Sequence, residues 1–183
     1  MISEKILIEQ CSPTLSSIKT ANLFTVKIHN TDDFFNSLNS WNKKIANKGL
    51  KMIILREYSD SALIYLYREK QLIKDLEDST AKQIMEYYGY DLSNISNILY
   101  TLKIRFLNLS DFPHEIGLFL GYPPKDVQGF ISHKGQNYKL CGYWKVYGDT
   151  DEAMARFEKF DKCKNIYKKL WNEGEDIMRL TVA

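Results

Sequence analysis

The sequence predicts an α/β (α+β) fold: one domain over residues 1–183, with a mixed sheet of about five strands and an antiparallel hairpin, packed with several helices. Three observations carry that reading. Lys51–Glu57 and Ala62–Arg68 are apolar, β-rich runs joined through Tyr58-Ser59-Asp60-Ser61, and a short polar joint between such runs demands antiparallel pairing. Several helical segments carry their own start and stop signals. No linker, repeat or low-complexity tract divides the chain.

Taken in order, Ile6, Leu7 and Ile8 read as a short strand ending at Cys11. Ser12 and Pro13 then look like a helix start, a hydroxyl cap followed by proline at the first helical position, with the helix over Thr14–Ala21. Leu23–His29 reads as a second strand. Asn30 or Thr31 caps a helix with Asp32 and Asp33 in its first turn and Lys43, Lys44 and Lys48 near its end, charges that complement the helix dipole. Phe34, Leu38, Trp41 and Ile45 form its apolar stripe and Gly49 ends it.

After the hairpin, helices are expected over Glu69–Asp78, Ser79–Tyr88 and Asp91–Phe106, then two short ones after Pro113 and Pro124. Tyr138–Tyr147 reads as a strand. Asp149 and Glu152 form a capping box for the longest helix, reaching Asn172, with Ala153, Phe157, Phe160, Tyr167 and Trp171 on its apolar face. The closing segment Asp176–Val182 reads as a strand.

Composition narrows the function classes. Net charge is +2, with basic and acidic residues interleaved, which argues against a nucleic-acid partner. Three cysteines, Cys11, Cys141 and Cys163, are widely spaced with no C-x-x-C pair, which suits reduced thiols in a cytoplasmic protein. The first ten residues lack the apolar core of a signal peptide, and no apolar run approaches the ~20 residues of a membrane span. The twelve tyrosines suit half-buried positions where a ring packs and a hydroxyl stays wet.

Candidate chemistry concentrates between Phe112 and Asp149, where Gly, Pro, His, Lys and Trp crowd into one segment. His114-Glu115 lacks the second histidine four residues on that a zinc protease helix requires, because position 118 is Leu118. The pair also fits polar residues at a helix start. Cys11, expected at a helix N-terminus, is a candidate nucleophile with His114 as base and Glu115 as its orienting acid; burial as a packing residue is the alternative. Lys19, Arg68, Lys134 and Lys145 are candidate anion-binding cations, with Tyr67 and Trp144 as aromatic walls. Strand alternation sets Trp144 and Lys145 on opposite sides, so Lys145 is expected in the polar site and Trp144 behind it, with Arg68 joining from the hairpin. Neither G-x-G-x-x-G nor G-x-x-x-x-G-K-[ST] occurs, which leaves dinucleotide and Walker-type nucleotide binding unsupported.

The stretch FPHEIGLFLGYPPKDVQGFI, followed by CGYWKVYGD, resembles a bacterial family common in anaerobes and catalogued as a domain of unknown function, number three-seven-nine-three. Cys11-Ser12-Pro13-Thr14-Leu15 with Ile18–Phe24 looks like that family's N-terminal signature. Leu66-Tyr67-Arg68 resembles its Tyr-Arg strand end, and Phe157–Cys163 its C-terminal helix. The resemblance implies kinship over nearly the whole chain and no reaction. It also implies an association with flavodoxin and iron-handling functions.

Two readings follow. The first is an enzyme or binder of a small anionic molecule, using the His114–Lys145 stretch with Cys11, Lys19 and Arg68. The second is a non-catalytic accessory protein docking a redox or metal-handling partner such as a flavodoxin or an iron- or haem-metabolism protein. Haem or metal binding through His114, tyrosine or cysteine ligands is a third, resting on ligand type alone, and no cofactor is specified.

Overall fold

A computed structural model describes residues 1–108 and 112–183. It is a mixed α/β structure: among the described residues, nine α-helices accompany five strands divided between two antiparallel sheets. The expected strand number and hairpin are present, but the strands do not share one mixed sheet. By its contacts the chain divides into two units, residues 1–70 with 160–183, and residues 71–159.

The first unit is built on a three-stranded sheet in the order β1-β3-β2, comprising β1 (Ala21–Lys27), β2 (Leu50–Glu57) and β3 (Ser61–Arg68). The central strand β3 is buried from Ala62 to Arg68, as a strand covered on both faces must be. A bulge at Leu55 shifts the β2–β3 register. The core combines Phe24, Ile64 and Leu66 from the sheet with Leu7, Ile8 and Leu15 from α1 (Glu4–Leu15) and Phe34, Leu38 and Trp41 from α2 (Thr31–Ile45). The cap of α2 is Asn30, whose side chain accepts from Asp33 N at 2.9 Å.

In the first unit two segments differ from the sequence reading. Residues 4–15 form one helix rather than a strand ending at Cys11 followed by a helix over Thr14–Ala21, because Leu7, Ile8, Cys11 and Leu15 also share a helical face, and Ala21 already begins β1. Ser3, not Ser12, caps it, and Pro13 lies in its last turn. There the Ser12 hydroxyl bonds back to Ile8 O, and Pro13 O accepts from both Ile18 N and Lys19 N. At the other end, residues 177–180 form the short helix α9 (Ile177–Leu180) rather than a strand. Asp176 caps it, accepting from Met178 N at 2.8 Å and Arg179 N at 3.2 Å.

The second unit contains most of α3 (Glu69–Leu76), then α4 (Ser79–Tyr87), α5 (Ile95–Asn108), α6 (Ile116–Phe119), α7 (Pro124–Ser132) and a ladder of two-residue strands, β4 (Leu140–Cys141) and β5 (Lys145–Val146). The single strand expected over Tyr138–Tyr147 is this small hairpin. The long helix α8 runs unbroken over Thr150–Asn172, and Asp149 accepts from Asp151 N and Glu152 N at its start. Its Phe160 and Tyr167 are buried and Phe157 is half-buried.

Candidate functional site

The second unit holds a cleft of about 430 Å³, bounded by the turn before α6, by α7 and by the β4–β5 hairpin. Three of the candidates named from the sequence bear on it differently from the rest. His114, Trp144 and Lys145 line it together, beside Phe112, Tyr122 and Phe130, with Asp126 and Cys141 also in the wall.

Its frame is a buried carboxylate. Asp126, in the first turn of α7, is 3% exposed. Its Oδ2 accepts from Trp144 Nε1 at 2.7 Å, and its Oδ1 accepts from Tyr147 N at 2.9 Å and Gly148 N at 2.7 Å. Three donors satisfy a charge that would otherwise be costly to bury. Trp144, so fixed, lies flat against Tyr122 with ring centroids 4.9 Å apart and edge-on to Phe157 at 4.5 Å. Burial pushes the Tyr122 hydroxyl up to about 12.

Glycines of this stretch serve close packing as much as turning. A Cβ on Gly142 would lie 2.3 Å from the Phe157 ring, and one on Gly129 would lie 2.4 Å from that of Tyr147. Gly135 does turn the chain, with φ +72°, and its carbonyl accepts from Lys145 Nζ at 2.8 Å. The same ammonium sits 4.8 Å from the Tyr138 ring centre and 5.8 Å from that of Phe130.

Trp144 and Lys145 were expected on opposite sides, yet both face the cleft. Strand alternation does not govern Trp144, because it lies in the bend between β4 and β5. His114 is exposed and meets Phe130 edge-on at 5.1 Å. Glu115 turns away from it into the protein. Fully buried, Glu115 accepts through Oε1 from Tyr90 Oη at 3.0 Å and from Arg105 Nε, and Oε2 has no hydrogen-bond partner. Burial first, then the Glu115 charge, pushes the Tyr90 hydroxyl far up. Burial alone would lower Arg105, but its bond to Glu115 holds it above its ordinary value. The His114–Glu115 dyad expected from the sequence is therefore absent: Glu115 belongs to a buried ion pair. Lys134 is exposed in the turn after α7, at φ +50°, and does not line the cleft.

The remaining candidates belong to the first unit, where they serve packing. Cys11 lies inside α1, fully buried, not at a helix start, and burial pushes its thiol far up, opposite to the shift a nucleophile needs. Lys19 is 5% exposed and donates to Ala21 O, and burial lowers it to about 7. Tyr67 is buried and stacks on Tyr65 at 5.0 Å, its hydroxyl pushed up to about 12 by burial.

Arg68 is the clearest correction. Its guanidinium donates to four backbone carbonyls: Thr14 O at 2.7 Å, Leu15 O at 2.8 Å, Lys48 O at 3.1 Å and Val182 O at 2.7 Å. It draws together carbonyls from the end of α1, from Lys48 and from Val182, two of which also accept a backbone N–H (Ser17 N on Thr14 O, Val182 N on Leu15 O), and is not a cleft cation.

Asp126, Tyr122, Phe130 and Phe112 escaped the sequence reading as site residues. For Asp126 the only local signal was an acidic residue in a helix first turn, which ordinarily means dipole compensation. Among the described residues, no group of three or more His, Cys, Asp or Glu side chains comes together as metal ligands. No described helix is long and apolar enough to cross a membrane.

Residues 7–181 match the family described as "Protein of unknown function (DUF3793)". No curated protein and no solved structure matches the chain.

Proposed function

The chain belongs to this DUF3793 family, whose description names no reaction, and we propose from the cleft alone that the protein binds a small, largely apolar molecule carrying one anionic group. The observation supporting this reading is the concave, ring-lined volume in the second unit, with Lys145 and His114 among its few polar groups. Pockets of about 300–1,000 Å³, mostly apolar with a few placed polar groups, are the usual form of small-molecule sites. Lys145 is the anion partner, because Gly135 O and the Tyr138 ring hold its ammonium in place. His114 supplies a second polar contact in the lining. A docking patch for a larger protein calls for rings spread over a flat exposed face, whereas these line a concave volume.

The test is an unbiased metabolite and cofactor screen on protein purified anaerobically, repeated on Lys145→Met. A compound retained by the wild type and lost from a variant with an unchanged melting temperature supports the reading. Equal retention by both proteins contradicts it.

A further inference from the structure

We infer that the cleft is matched to a planar aromatic monocarboxylate, an inference that rests on the small-molecule reading above. Three features narrow the class.

The first is shape. Of the thirteen described lining residues, five carry aromatic rings: Phe112, His114, Tyr122, Phe130 and Trp144. Ring faces and edges contact a flat conjugated body better than a puckered aliphatic one of equal size, because the quadrupoles favour offset and edge-on pairs. At about 430 Å³ the space suits one or two fused rings, not an extended dinucleotide.

The second is charge. Among the described residues Lys145 is the one lysine or arginine in the lining, and the Asp126 carboxylate also lines it. A polyphosphate would find a single lysine and meet a fixed negative charge, whereas one carboxylate matches one ammonium. Lys145 has three N–H donors. One serves Gly135 O, which leaves hydrogens for a ligand carboxylate without displacing the side chain.

The third is placement. Cys141 pairs directly with Lys145 across the β4–β5 ladder, is exposed, and lines the cleft. Side chains directly opposed on such a ladder are close neighbours. A ligand that fills the cleft lies against this lining residue, which makes the Cys141 thiol a reporter of occupancy. Cys11 and Cys163 are buried and serve as internal controls.

The experiment measures iodoacetamide modification of Cys141 in the full chain by peptide mapping. The probes are 2-naphthoate, 2-naphthamide, decahydro-2-naphthoate and inorganic pyrophosphate, with each rate referred to the unliganded rate of the same protein. Naphthoate is expected to slow Cys141 at least about fivefold near saturation, the other three less than about twofold. In Lys145→Met the naphthoate protection is expected to disappear. Equal protection by naphthamide overturns the carboxylate assignment, and equal protection by the decahydro acid overturns the planar one. In both cases the small-molecule reading survives. Protection by a screen hit of another class, with none by naphthoate, also overturns the class alone. No protection by any probe or screen compound overturns both.

Discussion

The two units use superficially similar residues in opposite ways. In the first, Lys19, Tyr67 and Arg68 are turned inward, and the two cations are bound by backbone carbonyls of Ala21, Thr14, Leu15, Lys48 and Val182. In the second, His114, Trp144 and Lys145 border a hollow, held from behind by Asp126 and Gly135. A main-chain acceptor is common to both, so a motif-like cation marks architecture where it is buried and marks a candidate site where it borders unfilled volume.

The largest effect that sharpens this contrast is expected at Arg68. Arg68→Met removes the guanidinium from four carbonyls, of which Thr14 O and Leu15 O keep a backbone donor, and should cost about 3 kcal/mol by chemical denaturation, with Arg68→Lys recovering less than half. A loss below about 1 kcal/mol would break the architectural reading.

A smaller loss is expected at Asp126. In Asp126→Asn an amide NH₂ must face at least one of the donors Trp144 Nε1, Tyr147 N and Gly148 N, for about 2 kcal/mol. Unlike Arg68→Met, it should also release Trp144 and change its fluorescence. An unchanged spectrum and midpoint would show that Asp126 does not hold the cleft wall.

The smallest effect concerns Lys19 and pH. Its folded-state value of about 7 lies below the unfolded 10.5, so the unfolded chain binds more protons between these limits. Stability should therefore rise with pH through that window and be lost again as pH falls through about 7. Cys11, pushed up by burial from 9.0, opposes this above pH 9, so the clean window is pH 7–9. Denaturation midpoints there should climb by the equivalent of roughly 1–2 kcal/mol in the wild type, and that slope should vanish in Lys19→Met. Parallel slopes in the two proteins would show that Lys19 is not buried as a cation-disfavouring site.

What was legible in the sequence follows from how local each signal was. The β2–β3 hairpin, α2 with its Asn30 cap and α8 behind Asp149 were readable because pattern and cap coincide within a few residues. Residues 6–11 were not, because a run as short as Ile6-Leu7-Ile8 fits a strand as well as a helical face, and Ser12-Pro13 can stand near either end of a helix. In the site, His114, Trp144 and Lys145 were visible as residue types crowded into one stretch. The roles of Asp126 and Arg68 were not, because each depends on partners brought together by tertiary structure: Trp144 is 18 positions from Asp126, and Val182 is 114 from Arg68.

The most direct test of the contrast between units uses the indole N–H resonances of the three tryptophans, Trp41, Trp144 and Trp171, recorded as retained or added ligand saturates the protein. Trp144 borders the cleft, while Trp41 donates to Ile2 O and Trp171 to Glu4, both in the first unit. The Trp144 signal is expected to shift while the other two stay in place. A ligand that moves Trp41 or Trp171 and leaves Trp144 unmoved would contradict that contrast.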